Sequence, residues 1–400
     1  MKKIVSLILV LVLSLTMLVA CDEDVIGEYD YPDYVPQFVE EINLNLYIIG
    51  GNPGAKAVTT VEREITAYTS AKFKVNLDIH YFTEAEYNAA VSADLAASDK
   101  SVDIVLINSE AMFEELASAN RLVSLDGYIA TNKYGTLNAS IARPLLDAAM
   151  YNDGENQALL CIPNNRVLGA YKYLCIDRQE GHLQGYSKTE LDNMTTEAQF
   201  TKDMAELQNK LDKAEITQAD YDKEKQLLES MIWVEELSAK ITAAGKNPDE
   251  FIFTVEDGKY ETKQQLEKDG YSCVILEKPQ VTKADAYASA FAITTDCAEA
   301  NYERAMEIIY AINTDVYLRN MLQFGVKNTN YYLDENNFVT FATGESEYIM
   351  DLKYTGDLFL SYFVADVYTP ATKMNGEKQN LEATYIPTTP DSGDGSDSLE

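Results

Sequence analysis

Few residues of this chain come in types and spacings that make or break bonds. Only two histidines occur. His80 lies on the polar side of an alternating stretch and His182 in a loop-like one, so a catalytic triad or a histidine-rich metal centre has little to be built from. There is no Gly-x-Ser-x-Gly elbow and no His-Glu-x-x-His helix. Carboxylates are so numerous that pairs carry no information. A hydrolytic pair is defined by a separation of about 5–9.5 Å and one raised pKa, which spacing along a chain does not supply. The chain does offer polar groups at turns that suit reversible binding. Gly51 and Asn52, within Gly50-Gly51-Asn52-Pro53-Gly54, fall between a predicted strand and helix, where exposed N–H groups can receive an oxygen or an anion. That run lacks the Lys-Ser/Thr of a nucleotide phosphate loop, and a plain tight turn accounts for it equally. Ser109 and Glu110 follow a predicted buried strand, where they would stand at a cleft rim or cap the next helix. Asn164, Asn165 and Arg166 combine amides with a guanidinium, the donors and acceptors a polyol uses; stabilising a hinge turn is their other reading. Trp233, the only tryptophan, suits stacking on a sugar ring, although a helical position beside Ile232 and Leu237 usually packs into a core.

The N-terminus carries a different chemistry. Lys2 and Lys3 precede an uncharged run over residues 4–20, the basic start and apolar middle of an export signal. The run ends in Leu18-Val19-Ala20-Cys21, which resembles the lipobox of bacterial lipoproteins. On that resemblance residues 1–20 are a signal peptide, Cys21 is lipidated, and the protein is anchored to the extracytoplasmic face of the bacterial cell membrane. An uncleaved membrane helix is the alternative. Two or more acyl chains anchor durably where one does not. Without Lys2 and Lys3, 30 of the 32 basic residues face 65 acidic ones, a formal charge of −35. Nucleic acid is excluded as a partner, because a phosphate-binding face needs clustered Lys and Arg. Cys161, Cys175, Cys273 and Cys297 show no zinc-ligand spacing and read as small core residues, with a Cys161–Cys175 bridge as the alternative in a compartment that permits disulfides. Neither a metal nor a cofactor is expected.

These groups need elements to hold them. Residues 21–40 are acidic and broken by Pro32 and Pro36, the composition of a tether. Ile42, Leu44, Leu46 and Ile48 alternate as in a strand; Val58, Val61, Ile65 and Tyr68 recur as on a helix; Val75, Leu77, Ile79 and Tyr81 alternate again. A second helix carries Tyr87, Val91 and Leu95, and the apolar run 102–107 reads as a strand buried on both faces. Further extended segments are predicted near 158–163, 168–176, 272–276 and 284–294. A charged helical hairpin is expected within 195–240, turning near Ala214, and residues from 381 form an acidic tail.

Arg304-Ala305-Met306-Glu307-Ile308-Ile309-Tyr310-Ala311-Ile312-Asn313-Thr314-Asp315, continuing to Leu322-Gln323-Phe324-Gly325-Val326, then Asn330-Tyr331-Tyr332-Leu333, resembles the bacterial extracellular solute-binding proteins that serve carbohydrate ABC importers. Tyr354-Thr355-Gly356-Asp357-Leu358-Phe359-Leu360-Ser361-Tyr362 looks like another stretch of that family. The resemblance implies an α/β, two-lobed periplasmic-binding-protein-like fold of type II, its lobes joined by crossing strands. Lobe 1 would comprise 41–157 and 286–325; lobe 2 would comprise 158–285 and 326–380. It also implies a small ligand between the lobes, a sugar first and a peptide second, membrane permease subunits as partners, a monomer, and no catalysis. The charged hairpin is not part of the family pattern. The 27 tyrosines supply many stacking candidates, among which Tyr362 is carried as a ligand contact. A surface glycan hydrolase and an adhesive scaffold are the competing classes.

Overall fold

The computed structural model describes residues 38–50, 52, 55–97, 101–152 and 157–387. The signal peptide, Cys21, most of the tether, Gly51 and the tail beyond 387 therefore lie outside the described residues.

The opening alternation becomes β1 (Ile42–Ile49), α1 (Lys56–Phe73), β2 (Val75–Phe82), α2 (Glu84–Ala96), β3 (Ile104–Ile107) and α3 (Glu110–Ser118). β1 pairs in parallel with β2, Ile42 opposite Val75, and with β3. Lys74 ends α1 in the left-handed region at φ 57°, so that helix and strand meet without a linker. All four residues of β3 are fully buried, as expected of a strand covered on both faces.

The chain then leaves this sheet through β4 (Ile162–Pro163) and enters a second one at β5 (Tyr171–Asp177). Next come α4 (Glu197–Asp212), α5 (Gln218–Glu229), α6 (Val234–Ala243), β6 (Ile252–Gly258), α7 (Tyr260–Lys268) and β7 (Tyr271–Glu277). β5 is the centre of the antiparallel order β6-β5-β7. Its alternation serves two cores: Leu174 and Ile176 pack with Val234, Leu237 and Ile241 of α6, while Tyr171, Tyr173 and Cys175 face the α7 side with Cys273. The α4–α5 hairpin turns at Ala214, φ 56°. It buries only Leu207, and capping by Thr196 and by the reciprocal Thr217–Asp220 box stands in for tertiary packing.

The return runs through β8 (Gln280–Val281), α8 (Lys283–Tyr287) and β9 (Ala290–Ile293), followed by α9 (Tyr302–Thr314) and α10 (Val316–Phe324). β9 joins the first sheet antiparallel to β3 and β4, giving the order β2-β1-β3-β9-β4. The run predicted as one extended segment over 284–294 is thus half helix, because Thr282 and Asp285 form a capping box that starts a helical turn. The chain ends in α11 (Pro370–Glu382) and β10 (Thr384–Tyr385). β10 pairs in parallel with β8, so residues 381–387, assigned from composition to the tail, are built into the fold.

The later part of the chain also distributes differently from the expected lobe 2. Tyr348, Met350 and Tyr354 belong to the core of the five-stranded sheet, drawn there by contacts such as Gln323 Nε2 donating to the Met350 carbonyl at 2.7 Å. α11 lies on α7 of the smaller sheet. Among the described residues no helix is long and apolar enough to cross a membrane.

Candidate functional site

The two sheets are joined where residues 164–170 go out and 278–289 come back, and the buried polar side chains of Asn164, Asn165 and Ser289 lie in these passages. Asn164 ties them together: its N–H donates to the Ser289 carbonyl at 2.9 Å and its amide to Ser289 Oγ at 2.8 Å. Ser289 Oγ in turn donates to the Lys353 carbonyl at 2.6 Å. The Asn165 amide donates to the Ser140 carbonyl at 2.8 Å and approaches Asp357 Oδ2 at 3.4 Å. Arg166 reaches the returning passage, Nη2 donating to the Asp285 carbonyl at 2.5 Å with the Asp285 carboxylate 3.6 Å away. Burial holds the Arg166 guanidinium below its ordinary pKa, with Asp285 opposing that shift.

α11 completes the crossing. Asn380 donates to the Arg166 carbonyl at 2.7 Å and accepts from Leu168 N–H at 2.9 Å, so one amide replaces a neighbouring strand. The Gln379 amide donates to the carbonyls of Leu168 and Gly169 at 2.9 and 2.8 Å. Gly169 has φ +57°, and a Cβ there would stand 2.6 Å from the Gln280 carbonyl oxygen. Glycine is required at this position both for backbone conformation and for close approach.

Beside this seam lies a charged interior. Arg319, in α10, is completely buried; among the described residues its hydrogen-bond partner is Asn320 Oδ1, at 3.4 Å. Burial lowers its pKa to about 10, against the pull of the Asp357 charge. Asp357 is itself pushed up to about 6 by burial, although Phe359 N–H, Asn165 and Arg319 all favour its ionised form. Tyr368 is close enough to feel both charges, and burial raises its phenol. Along the crossing and this interior, Asn164 Oδ1, Arg166 Nη1, Arg319 Nε and Nη2, Tyr368 Oη and Asn375 Oδ1 are buried without a hydrogen-bond partner among the described residues. More than about 90% of buried polar groups are normally paired, so this concentration marks the region. It presents N–H donors, amide acceptors and a phenol, a set that matches hydroxyl-rich or amide-rich ligands. Among the described residues no His, Cys, Asp and Glu cluster could hold a metal ion.

Of the residues singled out from the sequence, Asn164, Asn165 and Arg166 are brought together; Asn164 and Arg166 each bond the returning passage, whereas the Asn165 side chain is held by Ser140 and Asp357. Asn52 is engaged elsewhere, donating to the Glu347 carbonyl at 3.0 Å and accepting from Ile349 N–H at 3.2 Å. Ser109 caps α3, accepting from Met112 N–H at 3.3 Å, and Glu110 is the first residue of that helix. Trp233 lies one residue before α6, not on it, in a short parallel pairing with Met194–Thr195, its ring edge-on to Phe200 at 4.9 Å. The Tyr362 ring packs beside Phe324 and Tyr331. Sequence reasoning missed Asp285, Ser289, Arg319, Asp357, Tyr368, Asn375, Gln379 and Asn380. The Thr282-x-x-Asp285 capping signal was readable; no periodicity announces the burial of the other polar side chains.

A concavity of 260 Å³ lies over β5, lined by Tyr171, Tyr173, Tyr260, Lys263, Glu267 and Glu382 among others. It falls below the ~300–1,000 Å³ of ordinary ligand pockets.

No protein-family model matches the chain, and no curated protein sequence matches it. Its architecture is similar to that of solved structures. The crystal structure of an N-glycan transport solute binding protein from Streptococcus pneumoniae superposes with a TM-score of 0.51 at 15% identity, over 86% of this chain and 84% of that one. The same protein in complex with Man5GlcNAc gives 0.50, 15%, 86% and 83%. At such identity the likeness concerns the fold, which is the α/β, two-lobed fold of extracellular solute-binding proteins.

Proposed function

We propose that this chain is an extracytoplasmic solute-binding protein, anchored through a lipid on Cys21, that holds an oligosaccharide between its two sheet-centred bodies and passes it unaltered to an ABC importer. The observation that carries this reading is the fold shared over 86% of the chain with a protein whose structures are described as N-glycan transport and Man5GlcNAc-bound. The unpartnered donors and acceptors at the crossing support it, since ligands of such folds bind where domains meet. The protein acts as a monomer and presents the closed, loaded form to permease subunits. Ligand populates that form by contacting both bodies, because only differential contacts shift such an equilibrium.

The test is calorimetry of the purified chain against N-glycan fragments such as Man5GlcNAc, against malto-, xylo- and manno-oligosaccharides, and against short peptides, with chromatography of the recovered ligand. Binding of an intact oligosaccharide with contraction in small-angle scattering is the expected result. Cleaved sugar would make the protein a hydrolase, and binding of peptides alone would replace the ligand class.

A further inference from the structure

β5 and β7 set Cys175 and Cys273 directly opposite each other. Their sulfurs are 3.8 Å apart, they stand 98 positions apart in sequence, and both thiols are free and buried. Directly opposed residues of an antiparallel pair have Cα atoms about 4.5 or 5.5 Å apart, depending on the hydrogen-bonding of the pair. Both values lie inside the ~4.4–6.8 Å range a disulfide spans, so the bond forms by side-chain rotation without moving either strand. The bridge considered from the sequence, Cys161–Cys175, is not favoured: Cys161 and Cys297 belong to the core of the five-stranded sheet, whereas Cys175 and Cys273 share the core between β5 and α7.

We propose that Cys175 and Cys273 are joined by a disulfide in the mature protein, made by a thiol oxidant of the disulfide class. One cysteine thiolate attacks the oxidant's S–S bond, forming a mixed disulfide and releasing one thiol. The second cysteine, having lost its proton, displaces the other half. Two S–H bonds are lost, one S–S bond is gained, and the two electrons and two protons leave on the reduced oxidant. Because both sulfurs are buried, exchange takes place while the strands are still open, before α7 covers them. The link fastens the strand that receives the outgoing passage to the strand that starts the returning one, so the roots of both passages share one covalent frame. The proposed export matters only for where the oxidant is met; the thiol geometry stands without it.

The experiment is to unfold and refold the purified full chain with oxidised glutathione or with a reductant, alkylate it under denaturing conditions, and digest it without reduction. Mass spectrometry should find one linked peptide pair containing Cys175 and Cys273, with Cys161 and Cys297 alkylated. The oxidised form should melt about 5 °C higher, as expected for a closed loop of this length in a chain of this size. Cys175→Ser and Cys273→Ser should each fold and lose the dependence on oxidant. Separate alkylation of Cys175 and Cys273 after oxidation, glutathione adducts alone, or pairing with Cys161 or Cys297 would overturn the proposal. A protein that forms the link and binds no sugar refutes only the transport reading; one that binds sugar without the link refutes only this one.

Discussion

Asp357→Asn separates two accounts of the charged interior. Asp357 is buried, and its carboxyl stands at about 6 against an ordinary 3.8, so the folded state holds the proton more tightly than the unfolded chain. Between these values the native protein binds more protons, and stability falls as pH rises; above about 7 both states are ionised and the dependence flattens. The interval corresponds to roughly 3 kcal/mol, at ~1.4 kcal/mol for each tenfold change. Asparagine carries no charge to desolvate and retains an oxygen for Phe359 N–H, which Asp357 Oδ1 now accepts at 2.8 Å. It turns the 3.4 Å contact with Asn165 into two facing donors, at a cost of about 1 kcal/mol. The variant should therefore be ~2 kcal/mol more stable at pH 8, less stable than wild type by about 0.5 kcal/mol at pH 4, and without the wild-type slope between those limits. Urea unfolding midpoints across pH 4–8 for both proteins measure this. A variant destabilised at pH 8 by several kcal/mol would refute the reasoning: Asp357 would then be the necessary counter-charge of Arg319, whose loss leaves a buried cation alone.

Gly169→Ala should lose about 2–4 kcal/mol in the same assay, from the left-handed backbone together with the clash at the Gln280 carbonyl. Asn380→Ala removes the partners of both the Arg166 carbonyl and Leu168 N–H and should cost ~2–4 kcal/mol; a change below about 0.5 kcal/mol would show that the passage does not depend on α11. Cys21→Ser in the full chain should move the protein from the membrane fraction to the soluble one on fractionation, and unchanged anchoring would remove the lipobox reading.

Much of the five-stranded sheet was readable because its physics is local. Ile42, Leu44, Leu46 and Ile48 alternate, and 102–107 is uniformly apolar, so strand and burial follow from the same letters. The hairpin was readable from composition, and Ala305, Ile308, Ile309 and Ile312 are buried as their spacing required. The interior around Arg319 was not readable. In α10 every residue from Leu318 to Phe324 is buried, so Arg319, Asn320 and Gln323 occupy positions that an amphipathic pattern would assign to solvent. Gln379 and Asn380 look like surface amides of a C-terminal helix, and their role arises from backbone 210 residues or more away. Ser109 and Asn52 were placed correctly at element ends, where local capping and turn bonding claimed their side chains first.

The arrangement of α11 and β10 also bears on the order in which the molecule is made. Residues 166–169 emerge early from the ribosome, yet the amides that satisfy their backbone are those of Gln379 and Asn380, and β8 gains its partner strand only with Thr384 and Tyr385. The opening sheet can begin to form from nearby segments, but the junction of the two bodies has to wait for nearly the whole chain. Until then its polar backbone stays hydrated and open to proteases, so a polypeptide cut short before α11 would carry both sheets and lack the Gln379 and Asn380 amides that satisfy the backbone at their junction.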